Sequence, residues 1–338
     1  MTLKVSNILQ EKLLMQPPET MKEMGQHLLE ITKKLSNVDT EQEQYVAVSY
    51  YLRDIIPHIG KVRSGITREM LFINLLFVEL LADLALFHTR PNKDTCGYFL
   101  GKYTRYLVAE EDPGTAGFYH WLFCQYKDKP GFDYRSHLQE AGAGSLFVIM
   151  HEWSHTHDDL VEDVAKVLLE SKYLQEMFPN KNDDVLKEVC CDYSALVLCS
   201  QQNWEQSFGC DKTEMLSLAM LSLFVSGVYD FLSNIRINVA MDQVNKPAEK
   251  LFEILNTRLW ALAIAVKVSH QSRLFFEEQD ALSALTYAGS TINDFLKESG
   301  KFYTESLFKK IDEYNSMTEE ERAQYSFTIT DSDWYLLA

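Results

Sequence analysis

The sequence is poor in positive charge. It has 32 lysine and arginine residues against 49 aspartate and glutamate residues over 338 positions, which gives a formal net charge of −17. Such a surface repels phosphate backbones, and no strip of basic and aromatic residues interrupts it, so we expect no nucleic-acid partner. A glycine-rich phosphate loop and a GxSxG nucleophile elbow are also missing. Their absence argues against nucleotide-binding and acyl-hydrolase functions.

The sequence also lacks paired cysteines and a secretory leader. None of the six cysteines forms a CxxC pair, and their spacing suggests no disulfide framework. The first residues, MTLKVSNILQEKLL, lack the apolar core and the small-residue cleavage site of a signal peptide. Free thiols are typical of a reducing compartment, so we expect a cytoplasmic protein.

Long hydrophobic runs suited to a membrane are absent as well. The apolar stretch 70–87 carries Glu79 and Asp83, which would be costly in lipid. The stretch 216–229 is shorter than the roughly 20 residues that a membrane-spanning helix needs. We therefore expect no membrane span and interpret both stretches as buried core helices.

The hydrophobic pattern predicts a mainly α (α+β) fold. Hydrophobic residues make up 46% of the chain and charged residues 24%, which is ordinary for a folded globular protein. A helical period dominates the chain outside residues 89–135. We expect helices over most of 1–60 and at 67–88, 137–157, 184–202, 213–235, 247–277, 280–299 and 302–316.

A small sheet is expected near the middle of the chain. The tract 98–109 resembles a strand, and 117–126 favours either a strand or a short helix. The C-terminal tail FTITDSDWYLLA is a candidate terminal strand. Shortly before it, Thr318 followed by three glutamates has the pattern of a capped helix start.

The chemistry-bearing motif is His151-Glu152-Trp153-Ser154-His155, an HExxH sequence. On a helix, positions i and i+4 share one face, so both imidazoles can reach one zinc ion at about 2.0–2.1 Å. Glu152 projects roughly 100° around the helix, near the metal without ligating it. There it can act as the general base toward a water molecule. His157 lies two positions beyond His155 and is expected to be a surface residue.

A second motif supplies the remaining ligand. Glu188-Val-Cys-Cys-Asp192 is an ExxxD sequence on another predicted helix. Glu188 can complete a His2Glu zinc site, and Asp192 can accept the spare N–H of a ligating histidine. The alternative is a pair of solvated carboxylates on an amphipathic helix, which HExxH makes less favourable. Cys191 could approach the metal only from the margin of the site, so we do not count it as a ligand.

HExxH followed by ExxxD resembles the glutamate-zincin metallopeptidases. The E-x-x-C-D-x-x-A form is similar to that of the Ste24/HtpX-like branch with its soluble bacterial relatives, and the general layout is similar to that of the bacterial phage-exclusion peptidases. The resemblance covers residues 141–200. It implies a bound zinc ion (Zn2+), the metal ligands His151, His155 and Glu188, the base Glu152, and a protein or peptide substrate.

We expect a zincin-like helical metallopeptidase core with a small sheet over residues 67–338 and an N-terminal helical accessory region at 1–66, although the resemblance itself does not reach residues 1–135. The expected function is that of a zinc-dependent endopeptidase, with tract 98–109 as the candidate substrate-binding edge. The alternatives are a metal-stabilised helical interaction module without turnover and a helical scaffold that binds no metal. The intact Glu152 favours catalysis over a purely structural site.

Peptidases of this type usually add a side chain that stabilises the oxyanion. We take His270 as the catalytic candidate beside Glu152, although a satisfied or surface histidine is the simpler interpretation. The relatives often carry a His-Pro dipeptide followed by an arginine, whereas this chain has only Lys246-Pro247. That element is therefore not assigned. The other oxyanion candidates are Arg236, Arg258 and Tyr229.

Overall fold

The computed structural model has a mainly α-helical fold with one four-stranded sheet among the residues that it describes. The described residues are 19–35, 45–50, 58–64, 66–109, 112–127, 137–180, 183–237, 241–268, 276–327 and 335–337.

The described residues of the first half of the chain form three strands and five helices, with bounds as follows. They are α1 (Glu19–Leu35), β1 (Tyr45–Tyr50), β2 (His58–Ser64), β3 (Ile66–Asn74), α2 (Leu75–Thr89), α3 (Lys93–Ala109), α4 (Pro113–Tyr126) and α5 (Leu138–Ser154).

The described elements of the second half are helices and one short last strand, with bounds as follows. The elements are α6 (Asp158–Leu168), α7 (Lys172–Met177), α8 (Asp184–Ser200), α9 (Trp204–Phe208), α10 (Lys212–Ser222), α11 (Val225–Ile237), α12 (Met241–Val268), α13 (Glu278–Phe302), a π-helical turn (Tyr303–Leu307), α14 (Phe308–Asn315), α15 (Glu319–Ala323) and β4 (Tyr335–Leu337).

The sheet has the strand order β2-β3-β1-β4. Strand β1 runs parallel to β3, whereas β2 pairs with β3 and β4 pairs with β1 in antiparallel fashion. The predicted terminal strand is confirmed, because Tyr335–Leu337 closes one edge of the sheet. The other edge is β2, which lies against α5 and so brings the sheet next to the HExxH helix.

The prediction of where this sheet lies in the sequence was wrong. The tract 98–109 belongs to helix α3, and 117–126 belongs to helix α4. Asp112 begins α4 by accepting a hydrogen bond from the backbone N–H of Thr115 (3.1 Å), and Pro113 follows at the first helical position. The aromatic residues that favoured strands are buried between helices instead, as the rings of Phe87, Phe99 and Phe295 show by packing edge to face.

The predicted helix 67–88 is also wrong in its first part. Residues 66–74 form strand β3, and the helix begins at Leu75. Asn74 ends the strand and caps the helix, because its side-chain oxygen accepts the N–H of Leu76 at 3.0 Å. A continuous apolar run carries no period, so the sequence pattern does not reveal this change from strand to helix.

Residues 1–60 are only partly helical. Helix α1 confirms the prediction over 19–35, whereas 45–50 and 58–64 are strands, and 1–18, 36–44 and 51–57 lie outside the described residues. The predicted domain boundary after residue 66 falls just inside β3, whose residues 66–72 pair with β2.

The later helices agree better with the prediction. Helices α5 and α8 confirm 137–157 and 184–202 to within a few residues. The predicted helix 213–235 is two helices with a break after Ser222, and 302–316 opens with a π-helical turn. The capped start at Thr318 is confirmed, because its hydroxyl accepts the N–H of Glu321 at 3.2 Å while the Glu321 carboxylate accepts the N–H of Thr318 at 2.8 Å.

The two carboxylates of helix α2 are buried with a lysine from α3. Lys102 Nζ lies 2.6 Å from Glu79 Oε1 and 2.7 Å from Asp83 Oδ2. The hydroxyl of Tyr103 donates to the same Asp83 oxygen at 2.5 Å. Burial raises the pKa of Asp83 to about 6, against the opposite effect of Lys102. Among the described residues, no helix is long and apolar enough to cross a bilayer.

Helix α5 lies in the middle of the molecule. It packs against α2, α8 and α10, and its residues Leu146, Phe147, Ile149 and Met150 are completely buried. Gly144 allows α5 and α10 to pack closely, because a Cβ at this position would meet the backbone oxygen of Leu218 at 2.8 Å. This packing fixes the rotation of α5 and therefore the direction of the side chains at its C-terminal end.

Candidate metal centre

The two histidines of the HExxH motif lie at the end of α5. His151 is in the last turn, and His155 is the C-cap residue, with φ −61° and ψ −18°, so it continues the helical path. Its backbone N–H bonds the carbonyl of His151 at 3.3 Å. The imidazoles therefore keep the i, i+4 relation on one face. His157 lies outside the donor group, half-buried with its ring 3.9 Å from that of Trp153.

Helix α8 brings Glu188 to these histidines. Asp183 starts the helix by accepting the N–H of Val185 at 2.8 Å. Helix α8 packs along α5, so Glu188 and Asp192, one turn apart, both face the HExxH helix. The sequence interpretation of ExxxD as part of the same site is therefore supported by proximity.

The donor atoms have the separations that a small tetrahedral ion requires. His151 Nε2 and His155 Nε2 are 3.0 Å apart, and they lie 3.3 Å and 3.4 Å from the two carboxylate oxygens of Glu188. Two ligand atoms held tetrahedrally at about 2.0–2.1 Å from zinc are themselves about 3.3 Å apart. The three residues are therefore close enough together to hold one metal ion.

The charges around the donors also favour a cation. Glu152, Glu188 and Asp192 bring three carboxylates to the cavity, against the single guanidinium of Arg258. Burial alone would lower the pKa of His151, but the Asp192 carboxylate outweighs burial and raises it to about 9. The carboxylates thus favour a positive charge at this buried position, and a divalent cation would supply that charge.

Asp192 connects the metal-binding face to α12. Its Oδ1 lies 2.8 Å from His151 Nδ1, the ring nitrogen that points away from the donor group. Arg258 donates to both Asp192 oxygens, from Nε at 3.1 Å and from Nη2 at 2.8 Å, and its Nη1 lies 3.3 Å from Glu188. Asp192 therefore lies at ion-pair distance from His151, and Arg258 in turn holds both carboxylates.

Cys191 stands behind His155 at the margin of the site. Its Sγ is 3.4 Å from His155 Nδ1, whereas the donor nitrogen of that ring is Nε2. Burial raises the pKa of the Cys191 thiol, so the sulfur carries a proton at neutral pH. The position of the sulfur beside Nδ1, and not beside the donor nitrogen Nε2, argues against Cys191 as a metal ligand.

Glu152 lines one cavity of about 200 Å³ together with the donors His151 and Glu188. Glu152 Oε1 is 4.0 Å from His151 Nε2, and its side chain is 22% exposed. The carboxylate thus stands next to the metal position without being one of the donors. The cavity is lined by Phe77, Phe147, Val148, His151, Glu152, Glu188, Asp192, Ser222, Leu223, Ser226 and Arg258.

The residues predicted as oxyanion stabilisers differ in whether the structure describes them and whether they line the cavity. His270 and the side chain of Arg236 lie outside the described residues, so their predictions are not tested. Tyr229 is described but is not part of the cavity lining. Arg258 does line the cavity, and its guanidinium is engaged by Asp192 and Glu188.

Several lining residues were missed by the sequence interpretation. Phe147 and Val148 precede His151 and Glu152 by one turn, so helical spacing could have placed them on the same face. Phe77, Leu223 and Ser226 come from α2 and the α10–α11 junction. Only the packing of these helices around α5 brings them to the site, and no local sequence signal marks it.

Comparison with known proteins identifies no relative. No protein-family model, no curated protein and no solved structure matches the chain.

Proposed function

We propose that this chain is a zinc-dependent endopeptidase that hydrolyses peptide bonds of a cytoplasmic protein or peptide. The observation that carries the proposal is Glu152, which lines the same cavity as the donors His151 and Glu188 without belonging to the donor group. A metal site that only joins two helices has no need of a carboxylate there. Hydrolysis needs a general base at that place.

Each side chain has a distinct role in this proposal. His151, His155 and Glu188 would hold the zinc ion, which supplies Lewis-acid chemistry by polarising a carbonyl group and making water more acidic. Glu152 would take the proton of the attacking water and pass it to the leaving amine.

The residues behind the donors would keep them in place. Asp192, 2.8 Å from Nδ1 of His151, fixes the tautomer in which Nε2 is free to bind metal. Arg258 compensates the charges of Asp192 and Glu188 and so keeps both carboxylates ionised next to the cavity. The resemblance of HExxH and ExxxD to the glutamate-zincin metallopeptidases supports the same assignment of roles.

The free edge of β2 is a better candidate for substrate binding than the tract 98–109. That tract is helical and offers no strand edge. Strand β2 is outermost in the described sheet and lies against α5. Such an edge presents backbone N–H and C=O groups to an extended peptide, which is a common mode of peptide recognition.

The proposal is tested with Glu152→Gln, which keeps the size of the side chain and removes the base. Wild type and variant would be purified, loaded with zinc and incubated with a protein extract, and the new termini would be identified by mass spectrometry. We expect about one zinc per chain in both proteins. We expect cleavage by the variant to be lower by about a hundredfold or more.

Glu140→Gln is the matched control, because it makes the same change on the opposite end of helix α5. It should leave zinc content and cleavage unchanged. Indistinguishable fragments from wild type and Glu152→Gln would remove the peptidase proposal and favour a metal-stabilised interaction module. Absence of zinc from the wild type would argue for a metal-free scaffold.

A further inference from the structure

The two histidines of the candidate metal centre differ in the side chain that contacts their non-donor nitrogen. His151 turns Nδ1 toward the Asp192 carboxylate at 2.8 Å, whereas His155 turns Nδ1 toward the sulfur of Cys191 at 3.4 Å. In both rings Nε2 is the nitrogen that lies with the other donor atoms. Each histidine therefore has its own partner on the side that does not bind the metal.

One face of helix α8 supplies all of these contacts. Glu188 is the carboxylate donor, and Cys191 and Asp192 follow it by three and four residues. Residues at these spacings lie on the same side of a helix, about one turn apart. Both Cys191 and Asp192 are completely buried, so water does not compete with them for the two imidazoles.

The contact between Cys191 and His155 can be made in two ways. Either the thiol donates its proton to Nδ1, or Nδ1–H donates to the sulfur. In the first case the neutral imidazole carries its own proton on Nε2, which then has no lone pair for a metal ion. Only the second arrangement leaves Nε2 free, so the sulfur must accept a hydrogen bond whenever His155 binds metal.

His155 is the less firmly held of the two histidines. A sulfur atom is a weaker hydrogen-bond acceptor than a carboxylate. The side chain of His155 is also 27% exposed, whereas that of His151 is 6% exposed. Water therefore reaches the metal position on the side of His155, where the supporting contact is weaker.

We propose that Cys191 is the positioning residue of His155: its sulfur accepts the Nδ1–H, keeps Nε2 directed at the metal position and thereby slows the release of zinc. This inference rests on the zinc ion of the proposed function and does not depend on peptide hydrolysis. Cys191 acts through His155 and does not touch the ion.

Cys191→Ala tests the inference, because it removes the acceptor and leaves the rest of α8 in place. Zinc affinity would be measured by competition with a chromogenic chelator, and the dissociation rate by transfer of zinc to excess chelator. We expect the affinity to fall by roughly 10-fold, mainly through faster dissociation. Cys191→Ser returns a hydrogen-bond acceptor to the same position and should regain part of the lost affinity.

Cys190→Ala is the matched control. Cys190 is as completely buried as Cys191 and would lose the same atom, but it makes no hydrogen bond to a donor residue in the described part of the chain. This variant should bind and release zinc as the wild type does, even if both alanine variants melt at a lower temperature. The difference between the two variants separates an effect on His155 from a general effect on packing.

Replacement of zinc by cobalt gives a second measurement that needs no variant to fold. A thiolate bound to Co²⁺ produces an intense charge-transfer absorption in the near ultraviolet, whereas nitrogen and oxygen ligands do not. We expect the cobalt-loaded wild type to lack this absorption. Its presence would show a cysteine ligand and would overturn the inference.

The remaining outcomes separate this inference from the proposed function. Equal zinc dissociation from Cys191→Ala and Cys190→Ala, or no recovery in Cys191→Ser, overturns the inference and leaves the peptidase proposal standing. A wild type that binds no zinc overturns both. Digests by wild type and Glu152→Gln that are identical overturn only the proposed hydrolysis, because zinc release does not depend on it.

Discussion

Asp192 has two partners for its two carboxylate oxygens, and both are involved in the candidate metal centre. One oxygen lies 2.8 Å from His151 Nδ1, and Arg258 binds both oxygens. Although burial raises the pKa of this carboxyl group, Arg258 and His151 outweigh burial and hold it at about 2. Asp192 is therefore ionised at neutral pH, and its carboxylate lies beside Nδ1 of His151.

Asp192→Asn should weaken zinc binding by roughly 10- to 100-fold, because His151 loses the anionic partner that orients its ring. The affinity would be measured by competition with a chromogenic chelator. Asp184→Asn, an exposed aspartate at the start of the same helix, is the control and should bind zinc as the wild type does. Equal affinities in the two variants would show that Asp192 does not support the donor group.

The sequence predicts the donor residues and Asp192, but not the arginine that binds Asp192. His151, His155 and Glu188 were identifiable because helical spacing is a local property of the sequence. The pairing of Arg258 with Asp192 joins residues 66 positions apart. It depends on how α12 crosses α8, which no pattern within either helix determines.

The contact between α3 and α4 shows how an element can be misjudged from composition. Tyr98, Phe99 and Tyr103 have the residue types of a strand, yet they are buried on a helix. Helices α3 and α4 can pack together here because Gly101 of α3 lets the backbone of α4 approach closely. A Cβ on Gly101 would lie 2.4 Å from the backbone nitrogen of Phe123.

Gly101→Ala should lower the free energy of unfolding by about 1–3 kcal/mol, because the obstructing atoms belong to the backbone of α4 and cannot rotate away. Gly289→Ala is the matched control on helix α13, where an added Cβ meets nothing within 4 Å. It should raise the free energy of unfolding by about 0.5–1 kcal/mol, the usual gain from alanine in a helix. Urea unfolding followed by circular dichroism measures both, and equal values would contradict the close helix contact.

The whole molecule is organised around α5, with the candidate metal centre where that helix meets α8. The mainly helical fold was predictable, because the apolar period of 3.6 residues persists over most of the chain. The sheet was predicted in the wrong part of the sequence. Strand β3, residues 66–74, includes the beginning of the apolar stretch 70–87. Pairing with β1 and β2 decides that these residues form a strand and not a helix.

Removal of zinc should lower the melting temperature by several degrees. An ion that binds only the folded state stabilises it by about 4 kcal/mol when present at a thousand times its dissociation constant. Melting would be followed with added zinc and with a chelator. Glu188→Ala should melt at the same temperature under both conditions, and a wild type insensitive to the chelator would contradict a metal centre between α5 and α8.

Strand β3 passes into helix α2 without any linker, since Asn74 is both the last residue of one and the cap of the other. A slip of β3 by one residue would turn α2 by about 100° about its axis. Phe77 would then leave the cavity, and Asp83 would lose Lys102. A shift in the register of β3 would therefore leave a buried carboxylate of α2 without its lysine. The free-energy cost of that unpaired charge disfavours incorrect pairing of the sheet.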